Sequence, residues 1–382
     1  SYLLRSLFDG SLRRFIPRPL LWLYVAPILA AGALGARHVG DIAPIFVIYD
    51  ALDFHDAGGY LRDMVAKPLM MVLSALLVGA AVANSEKPER FLVPTVLSMW
   101  VICALVIVYF LLGGVALREM GASGSREILT TGLGMHANEL GRLYAVAYAL
   151  LLFTWAEMKE PGPKAVLLAT MGVVVAALVL TFSRGAFFGF IVVNVLFLLW
   201  RRNVKTLIFC GVLAACAMLL LPAVVYERIA TGFGSGLNAI SAGRIEGIWL
   251  PLAPEVLRSP LYGNGVGSIL WSEAMRREGG ISMLATTHPH NAYLEALLDM
   301  GMAGLLLLGA YFAHVWRGFR GLSADPSLCP ALRGFYLGAV AGLVSFLIAA
   351  LADSSLKPKP EQAFLWLAIG MMYGEHARKR MA

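Results

Sequence analysis

The sequence predicts an all-α, polytopic integral membrane protein, and three observations carry that prediction. Of 382 residues, 59% are hydrophobic and only 14% charged, whereas a soluble domain carries roughly 45–50% apolar and about 25% charged residues. Mean hydropathy is +0.74, and apolar runs long enough to cross a bilayer follow one another with short polar connections between them. Lys and Arg gather in alternate connections, so the formal charge of +7 reads as a positive-inside topology signal and not as a basic face for nucleic acid.

In chain order, spans fall near Pro19 to Ala36, Lys67 to Asn84, Phe91 to Leu117, Arg142 to Trp155, Lys164 to Phe182, Gly185 to Trp200, Thr206 to Val224, Ala292 to Trp316, Arg333 to Leu351 and Gln362 to Tyr373. That makes ten. The stretch from Asp41 to Leu52 is apolar but short and holds Pro44, so it reads as a re-entrant piece or as part of a further crossing that would raise the total toward twelve. Arg5, Arg13, Arg14 and Arg18 precede the first span, and Lys87 with Arg90, Arg201 with Arg202, Arg317 with Arg320, and Arg378 with Lys379 fall on the same side. Both termini are therefore expected to be cytoplasmic. The first span is expected to be a retained anchor and not a cleaved leader, because later spans depend on its orientation.

This threading leaves one dominant external segment, Tyr226 to Asn291, between N-terminal spans over residues 1–225 and C-terminal spans over residues 292–382. The three parts form a single membrane-embedded unit. Within the loop, Ser241 to Leu257 reads as an amphipathic helix and Pro260 to Ser268 as a glycine-rich turn. The glycines are spaced G-x-G-x-G without a surrounding βαβ unit, which sets aside a dinucleotide site. None of the four cysteines suggests a disulfide framework or a C-x-x-C metal site. No internal repeat with matching broken spans is visible, which weighs against a secondary transporter.

Several polar residues stand out from this background. Arg184 lies between two apolar runs joined by almost no loop, where an arginine either snorkels to the interface or serves an anion site. Arg244 sits in the loop helix, either solvated or as a second anion ligand. His290 with Asn291 opens the span after the loop, and Asn291, Glu295 and Asp299 recur every four residues as one polar stripe, implying a hydrated cavity open to the outside. His288 and His290 have no third ligand at a recognisable spacing, so no metal is expected. Lys67 and Arg142 each open a span from the external side, as secondary anion-site candidates or as plain interfacial cations. Gly301 and Gly304 read as close-packing positions. Threading brings Arg184, Arg244 and His290 to one face: two fixed cations to bind and stabilise a pyrophosphate, and an imidazole able to accept a hydroxyl proton near neutral pH.

These residues resemble the bacterial O-antigen ligase family, within the wider group of O-antigen ligases, O-antigen polymerases and protein O-oligosaccharyltransferases. His290-Asn291, nine residues, then Gly301 is similar to the ligase signature. Ser183-Arg184-Gly185 resembles the family's external arginine, and Arg244 with Trp249, Pro260, Gly263, Gly265 and Gly267 resembles its loop pattern. The resemblance implies a GT-C-like fold and an inverting, metal-independent and cofactor-free glycosyltransferase. Such an enzyme moves O-antigen polysaccharide from undecaprenyl pyrophosphate to lipid A-core at the periplasmic face of the inner membrane. His290 would be the general base and Arg184 and Arg244 the pyrophosphate ligands, with Lys67 and Arg142 in support and Asn291, Glu295 and Asp299 lining the acceptor cavity. Membrane lipids are expected partners, nucleic acid is not, and a monomer is expected. A polymerase of the same superfamily is the nearest alternative, and a polysaccharide-lipid flippase is the alternative from another class.

Overall fold

A computed structural model describes residues 17–48, 50–112, 129–130, 132–201, 208, 236–241, 243–277, 286–352 and 355–381. These residues form helices and connections: α1 (Leu20–Asp41), α2 (Ala57–Ala83), α3 (Pro88–Leu112), α4 (Ala137–Glu157), α5 (Pro161–Leu180), α6 (Arg184–Arg201), α7 (Leu250–Arg258), α8 (Ala292–Ser323), α9 (Pro330–Ala349) and α10 (Ala363–Met381). Among the described residues, α1, α2, α3, α5, α8 and α9 are long and apolar enough to cross a bilayer, and α6 has a shorter apolar stretch. The chain is a multi-pass helical membrane protein. The seventh expected span, Thr206 to Val224, lies outside the described residues apart from Ile208, as do Arg5, Arg13, Arg14 and Arg202.

Helix α4 is the centre of the bundle. It is buried along nearly its whole length, from Ala137 to Thr154, and packs against α5, α6 and α9. A helix buried on every side belongs inside a bundle and not against lipid. On α9, Gly334, Gly338 and Gly342 face it so closely that a Cβ at Gly338 would stand 2.6 Å from the Ala149 carbonyl oxygen, the small-residue spacing that lets two backbones approach in a membrane. Helix α10 packs in the same manner on α2, and α8 bridges α9 and α1.

Boundaries depart from expectation where capping or breaking residues decide them. Helix α4 starts at Ala137, five residues before Arg142, because His136 and Glu139 cap its first turn reciprocally: the Asn138 amide donates to His136 Nδ1 at 3.2 Å and the His136 amide to Glu139 Oε2 at 2.9 Å. Helix α2 starts at Ala57, where the Asp56 carboxylate accepts the Gly59 amide at 2.7 Å. Among its described residues, the Asp41 to Leu52 stretch holds only the five-residue α-helix Pro44–Ile48. At 1.5 Å per residue that is about 8 Å, far short of a crossing of about 30 Å. It therefore adds no crossing. In the loop, Arg244 opens a helical run that passes through a π turn over Ile245–Trp249 into α7, so it stands at the start of the helix and not a turn inside it.

The most consequential departure is in α8. Its 32 residues would extend about 48 Å as one straight rod, but Gly301 (φ 65, ψ −170) is not helical and breaks it. The amides that the break frees are taken up by the loop: Met302 N–H donates to the Pro260 carbonyl at 2.8 Å and Ala303 N–H to the Leu261 carbonyl at 3.1 Å. A Cβ at residue 301 would collide with the Leu261 backbone. Gly301 is thus a break that seats a loop, not only a helix-packing position.

Candidate active site

The site is built at the end of the bundle where α1, α2 and α8 meet the loop. The turn from Pro260 to Ser268 does not lie over this end but inserts into it. Gly263, Gly265 and Gly267 all have positive φ, which only glycine adopts cheaply. That course lets Asn264 N–H donate to the Leu298 carbonyl (2.8 Å), Gly265 N–H to the Asp299 carbonyl (3.0 Å) and Val266 N–H to the Ala31 carbonyl (3.0 Å). The Tyr60 hydroxyl then donates to the Val266 carbonyl at 2.6 Å. One turn is stitched to α1, α2 and α8.

Below it lies an ion cluster that corrects the expected cavity stripe. Lys357, from the connection between α9 and α10, places Nζ 2.7 Å from Asp299 Oδ2 and 3.0 Å from Glu295 Oε1. The other Asp299 oxygen accepts the Ser268 amide and hydroxyl, each at 3.1 Å. Asp299 is 2% exposed, so it does not line an open, water-filled space. Burial alone would pull the Lys357 ammonium down, but the carboxylates of Asp299 and Glu295 outweigh it and hold its pKa well above the ordinary lysine value. Asn291 is the N-cap of α8, its Oδ1 accepting the Tyr293 and Leu294 amides at 3.0 and 3.1 Å. In this structure the stripe binds the loop to the helix.

The secondary cations are also engaged. Arg142 is buried, with Nη2 donating to Glu361 Oε1 at 3.0 Å, so it is an internal ion pair and not an interfacial cation. Lys67 is exposed and pairs with Asp63 one helical turn away at 2.5 Å.

Arg244 and the loop that carries His290 converge on the α9–α10 connection, and Arg184 is linked to it through α4. Arg184 is the first residue of α6, after a turn in which Phe182 takes φ 48. Gly141 of α4 packs directly on that corner, where a Cβ would stand 2.5 Å from Ala186 Cβ and 3.1 Å from Ser183 Cβ, and the next residue, Arg142, reaches Glu361. The Arg244 guanidinium donates to the Ala352 carbonyl. His290 is two residues before Ala292, whose amide donates to the Ala350 carbonyl at 2.9 Å. Ala350 and Ala352 are two residues apart, a reach of at most about 7 Å, so Arg244 and the His290 loop are moored side by side. The Trp249 indole N–H reinforces this by donating to the Pro289 carbonyl at 2.9 Å.

His290 itself is held in an unusual state. Its φ is 52, one of three positive values among the described non-glycine residues, with Phe182 and Asp50. Its Nε2 lies 3.3 Å from Thr286 Oγ1 and its ring 4.2 Å from that of His288. A left-handed backbone at a non-glycine residue costs on the order of 1–3 kcal/mol and persists where the surroundings over-determine it, often at functional sites. Of the three such residues, one is His290 itself and another, Phe182, lies two residues before Arg184. Among the described residues, no group of three His, Cys, Asp or Glu side chains is placed to hold a metal ion.

Lys357 and Glu361 were not singled out from the sequence. A signal was present: Ser355-Leu356-Lys357-Pro358-Lys359 puts two lysines in a connection that positive-inside threading assigns to the external side. Asp353 lies outside the described residues.

A bundle with six helices long and apolar enough to cross a bilayer among its described residues, and with Arg244 and the His290 loop moored side by side, defines a class: a multi-pass helical membrane protein. Residues 166–309 match the protein family described as O-antigen ligase. The match runs from within α5 to the middle of α8 and contains Arg184, Arg244, His290 and the Gly301 break. No curated protein matches the chain.

Proposed function

We propose that the protein is an O-antigen ligase, a metal-independent, inverting glycosyltransferase of the GT-C type. It would take O-antigen polysaccharide from undecaprenyl pyrophosphate and join it to lipid A-core at the periplasmic face of the inner membrane, with both termini cytoplasmic. The observation that carries this reading is the mooring of Arg244 and the His290 loop to carbonyls two residues apart, Ala352 and Ala350, in a chain whose residues 166–309 match the O-antigen ligase family. The nine-residue interval from Asn291 to Gly301 supports it: it is the length of the α8 segment between its cap and its break. That segment presents His290 at one end and receives the glycine turn at the other.

The chemistry follows from the residue types. The acceptor hydroxyl gives its proton to the His290 imidazole as its oxygen attacks the anomeric carbon of the donor from the face opposite the leaving group. The bond from that carbon to the pyrophosphate oxygen breaks, and the electron pair leaves with undecaprenyl pyrophosphate, which inverts the anomeric centre. Arg184 and Arg244 hold the pyrophosphate and stabilise the charge it gains, as positioned donors do for any developing oxyanion. Asn291 supports the reaction by fixing the α8 terminus directly after the base.

The test is reconstitution with lipid-linked O-antigen and lipid A-core, with and without a chelator. Product is expected to survive chelation and to vanish in His290→Ala. Full activity in that variant would refute the base assignment. Chain growth on undecaprenyl pyrophosphate without transfer to core would replace the ligase reading by the polymerase one.

A further inference from the structure

We propose that a second cavity at the same end of the bundle binds a saccharide ring. It has a volume of about 240 Å³ and lies between the end of α1, the loop after the glycine turn and the end of α7. Its aromatic wall is Trp271, stacked on the His38 ring at 5.5 Å with 23° between planes. Asp41, Glu255, Arg258, Asn264, Ser268 and Arg276 complete the lining. The two acids and two bases are matched: Arg258 Nη1 stands 3.1 Å from Glu255 Oε2, and Arg276 Nη2 stands 3.8 Å from Asp41 Oδ1. The cavity therefore carries no surplus charge, unlike the site with Arg184 and Arg244, and it suits an uncharged polyhydroxy ring better than a pyrophosphate.

Three features fit that ligand class. An aromatic wall stacks on the C–H face of a sugar, while planar carboxylate and guanidinium groups pair with its neighbouring hydroxyls. Trp271 is 8% exposed, and its indole N–H has no hydrogen-bond partner among the described residues, leaving a donor that the protein does not satisfy. The volume falls below the roughly 300–1,000 Å³ of pockets for larger ligands, which points to one ring and not to a length of polymer.

The cavity is tied to the candidate active site. Glu255 is six residues after Trp249, whose indole N–H bonds to Pro289 beside His290, an advance of about 9 Å along a helix. A sugar chain with one ring at His290 would be within reach of this second subsite. The identity of the saccharide rests on the glycan-transfer reading: the ring would come from the donor glycan or the acceptor oligosaccharide, which share the chemistry recognised here.

The test is saturation-transfer NMR on the full chain in nanodiscs, with lipid-free core oligosaccharide and lipid-free O-polysaccharide as separate probes. One probe is expected to give ring-proton signals that fall at least fivefold in Trp271→Phe and in Asp41→Asn and persist in His290→Ala. The probe that responds identifies the source. Asp41→Asn, at the exposed rim, keeps the test open if Trp271→Phe does not fold. Signals unchanged in the variants, or absent with both probes, would overturn the proposal. Trp271-dependent signals in a protein that transfers no glycan would refute the transfer reading and leave the cavity standing. Normal transfer with unchanged acceptor and donor KM in Asp41→Asn would do the reverse.

Discussion

Lys357→Met should be among the most damaging single substitutions outside the proposed chemistry. Lys357 Nζ contacts Asp299 at 2.7 Å and Glu295 at 3.0 Å, with Asp299 and Lys357 2% and 8% exposed. Removing the ammonium takes the contacting counter-charge from two neighbouring carboxylates, and breaking a buried pair in this way costs about 3–5 kcal/mol. The loss has an address, because Asp299 also receives the Ser268 amide and hydroxyl, so the glycine turn should loosen from α8. Thermal unfolding in nanodiscs should show a midpoint lowered by several degrees, with faster hydrogen exchange at Ser268. Glu295→Gln, which leaves the Lys357–Asp299 pair intact, should cost little. Adding Glu295→Gln and Asp299→Asn to Lys357→Met should recover much of the loss, since no buried charge then stands alone. A Lys357→Met midpoint equal to wild type, or a triple variant no better than the single, would refute the reasoning.

Other outcomes follow from individual geometries. Gly301→Ala should lose at least about 1–3 kcal/mol, because φ 65 with ψ −170 is a glycine-only conformation; the Met302 and Ala303 amides, now bonded to Pro260 and Leu261, should lose exchange protection. Arg184→Lys should keep folding but lose most transfer activity, since lysine lacks the planar fork that grips a phosphate through two bonds; wild-type turnover in a reconstituted assay would remove Arg184 from the donor site. Lys357 has a raised pKa in the fold, so its contribution is complete below its ordinary value of 10.5 and is lost only as pH climbs through the higher folded value. The difference in unfolding midpoint between wild type and Lys357→Met should therefore show no decline attributable to Lys357 deprotonation between pH 6 and 9.

Arg142 shows where reading along the chain stops. An arginine opening an apolar span looks like an interfacial cation, yet it lies inside the capped helix and meets Glu361, 219 residues away. Lys67 has its partner Asp63 in the preceding turn, a helical spacing that was visible in the sequence. Asp299 lies between these cases: the four-residue stripe was visible, but whether it meets water or an ammonium depends on Lys357, 58 residues on.

The sequence by itself determined the membrane setting, the helical class, and the interval from His290 to Gly301. Each is written in composition or in short periodicity, because a bilayer demands long apolar runs and a helix repeats within four residues. Only the tertiary structure decided that α8 breaks at Gly301, that the glycine turn fills the break, and that the connection from Ala350 to Gln362 moors Arg142, Arg244 and the His290 loop. Those decisions are contacts between residues far apart in the chain, and their stability comes from pairing buried amides, carbonyls and charges that no local pattern specifies.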